Sequence, residues 1–185
     1  MMTEKEKMLA GEYYLPSDPE LANERSINRN NIRILNSLNQ DGDEYEALLY
    51  QILGTYGKDA WIVGPFFCDY GYNIHVGDNF YANYNFTVLD CAKVTIGNNV
   101  LIGPNVSILT PVHPIDKVER RTLLEFSKPV TIEDDVWIAG DVTILGGVTI
   151  GEGTVIGAGS VVTKDIPNNV LAAGNPCRVI RKINE

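Results

Sequence analysis

Two histidines, His75 and His113, are the imidazoles of this 185-residue chain. Near neutral pH imidazole is the side chain best suited to take a proton and return it. His113 sits in the stretch "TPVHPIDKVERRTLLEFSKP", residues 110–129. His75 lies between Ile74 and Val76. Side chains alternate along a strand, so it points away from that apolar pair and reads as a surface or interface residue. Two histidines with no further ligand spacing do not suggest a zinc site. Cys68, Cys91 and Cys177 form no CxxC pair. An odd, scattered set suits reduced thiols rather than a disulfide framework. The chemistry on offer is proton transfer by a histidine on a loop.

What positions that loop is a repeat. Ile132, Ile138, Ile144, Ile150, Ile156 and Val162 recur every six residues. Two residues earlier run Val130, Val136, Val142, Val148, Thr154 and Ser160. Before the loop the same lines read Ile96, Ile102, Ile108 and Val94, Val100, Val106. Earlier still they read Val76, Ala82, Val88 and Ile74, Phe80, Phe86, with a two-residue slip at "DCAK". A period of six fits neither a helix nor a plain alternating strand. It fits a short strand followed by a tight corner, three to a triangular coil, with coils about 4.8 Å apart. This predicts a mainly β protein, a parallel β-helix over residues 57–175 with a loop inserted at 110–129. Residues 1–56 predict a helical cap on its N-terminal end, with Asp18 as N-cap, Pro19 at N1 and an apolar face of Leu21, Ile27, Ile32, Leu35 and Leu38. Residues 176–185 follow a Gly174-Asn175-Pro176 turn as a short helix or strand.

Composition narrows the partners. The formal net charge of −9 argues against nucleic acid and anionic membranes. No run approaches the roughly 20 apolar residues of a membrane span. The start "MMTEKEKMLAGEYY" lacks the apolar stretch of a signal peptide, so a cytoplasmic location is expected. Basic residues nevertheless gather late in the chain, at Lys164, Arg178, Arg181 and Lys182.

"CDYGYNIHVGDNFYANYNFTVLD", "TPVHP", "VWIAGDVTILGGVTIGEGTVIGAGSVVTKDIP" and "AAGNPCRVIR" resemble the maltose and galactoside O-acetyltransferases, which are hexapeptide-repeat acyltransferases. The similarity extends over nearly the whole chain. It implies a left-handed parallel β-helix, a homotrimer, and transfer of acetyl from acetyl-CoA to a sugar hydroxyl. The sites would lie in grooves between subunits, with the long loop reaching across. By this resemblance His113 is the general base and Asn83 steadies the oxyanion, contacting substrate and cofactor. Asp69 and Asp90, expected near the same edge as Asn83, would hold the sugar. Glu125 would orient His113 or contact the acceptor, with plain solvation as the alternative. Asp18 is either a further acceptor contact or only a cap. Tyr13, Tyr70, Tyr81 and Tyr84 would wall the pocket or serve packing.

The resemblance assigns Gly140, Ala158, Thr163, Lys164, Arg178 and Arg181 to the cofactor, while Trp137, at the outward position before Ile138, would pack on the cofactor arm or on a neighbouring subunit. Basic groups at the C-terminal end would complement the phosphates of coenzyme A. No metal is required. The motif is maltose-type at Asp69, and Cys91 stands where galactoside-type enzymes carry a second aspartate, so a maltose- or glucose-type acceptor is favoured. Two other readings stay open: the same donor with an antibiotic or surface glycan as acceptor, and a non-catalytic trimeric scaffold.

Overall fold

The computed structural model describes residues 2–183. Met1 of the expected cap and the last two residues of the expected C-terminal extension lie outside them. The chain opens with three helices, α1 (Glu4–Ala10), α2 (Pro19–Leu35) and α3 (Asp43–Ile52). Thr3 and Glu6 close a reciprocal capping box on α1, and the Asp18 carboxylate accepts from the Glu20 N–H at 3.0 Å to cap α2. Leu21, Ile32 and Leu35 are buried as expected. Ile27 is not: it is 56% exposed, and Asn28 takes the buried place instead. The Asn28 amide donates to the carbonyls of Cys68 and Asp69, which is why a polar residue can occupy that helix face. Ile32, Leu35, Tyr45, Leu49 and Ile52 continue directly into the core of the solenoid.

The solenoid has three parallel faces. The first holds β1 (Trp61–Ile62), β4 (Tyr81–Ala82), β7 (Leu101–Ile102), β12 (Trp137–Ile138), β15 (Val155–Ile156) and β17 (Val170–Ala173). The second holds β2 (Phe66–Cys68), β5 (Phe86–Leu89), β8 (Ser107–Leu109), β13 (Thr143–Leu145) and β16 (Val161–Val162). The third holds β3 (Ile74–Val76), β6 (Val94–Ile96), β11 (Val130–Ile132) and β14 (Thr149–Ile150). Both hexad lines point inward, and nearly every member is wholly buried. The expected terminal element is a strand, β18 (Arg178–Lys182), which turns back antiparallel along β17 and ends the first face. Among the described residues no helix is long and apolar enough to cross a membrane.

The corners differ. Between the first and second faces Asn85, Asn105 and Asp141 sit at φ 59°, a left-handed conformation that asparagine and aspartate tolerate. Their side chains stack into a ladder: the Asn85 amide donates to Asn105 at 2.9 Å, and Asn105 donates to Asp141 at 3.0 Å. Asn79, Asn99 and Asp135 repeat the device between the third and first faces. Between the second and third faces the spacing is irregular. Trp61 pairs with Tyr81 and Tyr81 with Leu101, twenty residues on each time, whereas Trp137 pairs with Val155, eighteen on. The surplus lies between Cys68 and Ile74 and between Val88 and Val94, and the slip at "DCAK" marks only the second. The 110–129 insertion leaves from the same corner one coil later.

Candidate active site

The inserted loop is built rather than slack. Its base is closed by the antiparallel pair β9 (Pro111–Val112) and β10 (Phe126–Ser127). Thr110 is buried there; its hydroxyl donates to the Leu89 carbonyl at 2.7 Å and accepts from the Ala92 N–H at 3.0 Å. At the tip is a short helix, α4 (Lys117–Arg120), whose N-cap Asp116 accepts from the Val118 and Glu119 N–H groups. Arg120 donates to the carbonyls of Pro114 and Ile115, tying the tip to the residues just after His113.

His113 projects from this frame with its side chain 54% exposed. Its Nδ1 lies 3.4 Å from the Leu124 carbonyl, which can only accept. That contact favours the tautomer with its proton on Nδ1 and a free lone pair on Nε2. Nε2 lies 3.6 Å from Glu125 Oε2, longer than a hydrogen bond and short enough for both to hold one hydroxyl. Glu125 is itself largely buried. Its other oxygen, Oε1, accepts from the Tyr14 hydroxyl, and its backbone pairs with that of Tyr14.

Behind Glu125 lies a second layer at the same corner. The Cys91 thiol donates to Asp69 Oδ2 at 3.8 Å. Burial pushes the Cys91 thiol far above its ordinary range, so it is no thiolate at neutral pH. Burial also raises Asp69, opposed by Arg25 and reinforced by Glu125. The Arg25 guanidinium donates to the Tyr70 hydroxyl and the Pro16 carbonyl.

Asp90 must be reassigned. It was expected to touch the acceptor, yet it is 0% exposed. Its carboxylate accepts from the N–H groups of Asp69, Tyr70 and Gly71 at 3.0, 2.8 and 2.7 Å. Both oxygens are therefore engaged within the chain, and Asp90 shapes the turn that presents Asp69. Burial raises it to about 6, even against those backbone donors. Asp18 is engaged as the α2 cap. Tyr70 is buried, whereas Tyr13, Tyr81 and Tyr84 are exposed.

The shared edge expected for Asn83, Asp69 and Asp90 also needs correcting. Asn83 follows β4, at the corner between the first and second faces. Asp69, Asp90 and His113 lie at the opposite edge of the second face, roughly 13 Å away at 3.3 Å per residue. Asn83 is half-buried, and its Oδ1 accepts from the Tyr84 N–H at 2.8 Å. That bond turns its amide NH₂ outward, and among the described residues the NH₂ has no acceptor.

From Asn83 a column of small residues runs along the solenoid. Asn83, Gly103, Ala139 and Gly157 each donate to the next coil, at the carbonyls of Ile102, Ile138, Ile156 and Ala172. Beside them stand Tyr84, Pro104, Gly140, Ala158 and Gly174. Four coil steps make a smooth rail about 19 Å long. Lys164 and Arg178 line one cavity of about 180 Å³ near its far end, together with Asp165. Thr163 precedes Lys164 on an exposed turn, and Arg181 lies on β18 opposite Leu171. Among the described residues none of Lys164, Arg178 and Arg181 forms an ion pair. Trp137 is exposed on the first face, in one register row with Trp61, Tyr81 and Leu101.

Tyr14 and Arg25 were not singled out by the residue pattern, since nothing in the repeat marks an N-terminal side chain that meets it from outside. Comparison with known proteins gives a consistent picture. Three family models match: the maltose acetyltransferase hexapeptide capping motif over residues 7–57, the hexapeptide repeat of succinyl-transferase over 93–113, and the bacterial transferase hexapeptide over 129–164. The galactoside O-acetyltransferase of Escherichia coli K12 is 44% identical over 143 residues, 77% of this chain and 70% of that protein. A crystal structure of a maltose O-acetyltransferase from Clostridium difficile 630 has a TM-score of 0.97 at 52% identity, covering 100% of this chain and 99% of that one. A hexapeptide-repeat acetyltransferase of Vibrio cholerae, solved with acetyl-coenzyme A, has a TM-score of 0.92 at 38% identity, covering 100% of both chains.

Proposed function

The chain belongs to the maltose and galactoside O-acetyltransferase family of hexapeptide-repeat acyltransferases, and on that premise we propose that it moves acetyl from acetyl-CoA to a hydroxyl of a maltose- or glucose-type sugar. One observation carries the assignment of the base: His113 stands at the largest break in the repeat, its Nδ1 held by a carbonyl and its Nε2 free beside Glu125. In the proposed step the sugar hydroxyl lies between Nε2 and Glu125. Nε2 takes its proton as the oxygen attacks the thioester carbon. The Asn83 amide donates to the oxyanion of the tetrahedral intermediate. The C–S bond then breaks, and the imidazolium returns the proton to the departing sulfur. The buried, protonated Cys91 supports direct attack over an acetyl-cysteine intermediate. No metal enters this reading.

The cofactor would lie along the rail from Asn83 past Gly140 and Ala158, with Trp137 beside its arm and its phosphates toward Thr163, Lys164, Arg178 and Arg181. Because His113 and Asn83 of one subunit occupy different corners, a complete site needs His113 of one copy beside Asn83 of another. The family resemblance implies a homotrimer, an assembly that would bring the two together. Ile115 at the loop tip, 94% exposed, and the row of Trp61, Tyr81, Leu101 and Trp137 are apolar surfaces that such an assembly would cover. Acetyl-CoA as donor fits a cytoplasmic protein.

A second acceptor class, an antibiotic or a surface glycan, is supported by an apolar cavity of about 190 Å³ lined by Tyr13, Pro114, Glu119, Thr122 and Leu124. The test is thiol release from acetyl-CoA with maltose, glucose, a galactoside and such alternative acceptors, beside His113→Ala. Sugar-dependent release should fall at least a hundredfold in the variant. Turnover that is untouched in His113→Ala would remove the base assignment, and failure to bind acetyl-CoA would favour a scaffold.

A further inference from the structure

We propose that Tyr14 is a positioning residue of the transfer site, acting on His113 through Glu125. This rests on the reading of His113 given above. Tyr14 arrives from the N-terminal segment, outside the repeat, and meets Glu125 in three ways. The Tyr14 N–H donates to the Glu125 carbonyl at 2.9 Å, and the Glu125 N–H returns a bond to the Tyr14 carbonyl at 3.2 Å. The Tyr14 hydroxyl donates to Glu125 Oε1. The backbone pairing fixes where residue 125 stands, and the hydroxyl fixes which way its carboxylate turns. With Oε1 so held, Oε2 faces His113 Nε2.

The hydroxyl has no packing reason to be there. The Tyr14 ring is wholly buried among Met8, Leu21, Tyr70 and Cys91, where a phenyl ring would fill nearly the same space. A buried hydroxyl is costly unless it is bonded, and its bond goes to the carboxylate that borders the imidazole. Burial, then Cys91 and Glu125, keep Tyr14 protonated far beyond the ordinary phenol range, so it is a donor at every working pH. Glu125 also helps to raise the Asp69 carboxyl, so the two groups are within electrostatic reach of each other. Neighbouring contacts support the same clamp: Tyr13 packs edge-on against Phe126, and the Ser127 hydroxyl lies between the Met8 and Cys91 carbonyls. The N-terminal segment thus grips the returning limb of the loop at three consecutive residues.

The experiment is a double-mutant cycle on the full chain: wild type, Tyr14→Phe, Glu125→Ala and the double variant, with maltose and acetyl-CoA as substrates. Tyr14→Phe should lower kcat about tenfold and leave the KM for acetyl-CoA within about twofold. In the Glu125→Ala background the same change should cost less than about twofold, because the group through which Tyr14 acts is gone. A second readout needs no turnover. The chain has two histidines, so imidazole ¹⁵N signals assign directly by His113→Ala. Tyr14→Phe should move the His113 signals and leave those of His75 in place. Equal losses in both backgrounds, or a lowered melting temperature with kcat and the His113 signals unmoved, would overturn the proposal. Full activity in His113→Ala would instead remove the reading beneath it.

Discussion

Two corners of the same prism follow opposite rules. Between the first and second faces each coil turns in the same number of residues, with Asn85, Asn105 and Asp141 in one conformation and one hydrogen-bonded ladder. Between the second and third faces the turns carry two extra residues, then two again, then the whole 110–129 loop. The regular corner bears the smooth rail and, in Asn83, an amide NH₂ with no acceptor among the described residues. The irregular one bears Asp69, Asp90, Cys91, Glu125 and His113. A rigid repeat supplies length and a straight surface, which a long linear cofactor needs. A pocket needs residues of unlike kinds converging on a point, and those enter only where the ladder is absent.

The sharpest test of this contrast is Asn83→Ala. Asn83 sits beside the ladder without belonging to it, so its loss should cost catalysis and spare the fold. kcat should fall roughly a hundredfold or more, with the melting temperature changed little. Equal loss of stability and activity would mean that Asn83 is only another corner residue.

Next comes Asp90, whose carboxyl group holds the irregular corner as the ladder holds the regular one. Its pKa is about 6 in the folded chain, and the ordinary carboxylate value is near 3.8. Folding therefore favours its protonated form. The part of its stability linked to this proton is fully present below about pH 4 and is lost as pH rises through 6. Asn at this position has no such dependence. Urea melts should show wild type exceeding Asp90→Asn most near pH 4, with the gap narrowing by about 2 kcal/mol by pH 7. A gap that widens with pH would reverse the assignment.

The smallest effect belongs to the ladder itself. Asn105→Ala should destabilise by about 2 kcal/mol, from a left-handed φ without its amide and two lost hydrogen bonds. kcat in the folded fraction should be unchanged. A stability loss matched by lost turnover would show the two corners to be coupled.

The apolar walls were legible because one rule governs them. Each hexad places two side chains inward, and the same six-residue beat marks every coil. That uniformity also hid the corners, since a period shared by three faces does not say which edge a given turn lies on. The period alone accordingly groups Asn83, Asp69 and Asp90 on one edge and does not mark the surplus after Cys68. His113 was legible because it breaks the beat. Tyr14 was not, because its meaning lies in Glu125, 111 residues further on. At Gly146 the repeat carries a further constraint: a side-chain carbon there would come within 2.7 Å of the Thr110 carbonyl, where the loop leaves the coil below.

The return of β18 along β17 carries one more consequence. A stack of parallel coils is also a template, since its last rung offers open amide groups to any extended chain that arrives, and such edges seed fibrils. Here the chain closes that rung on the first face by doubling back on itself with a strand that bears Arg178, Arg181 and Lys182, while α2 and α3 roof the opposite end. A form that could in principle grow without limit is thus given a fixed length, and the rod is kept from joining end to end.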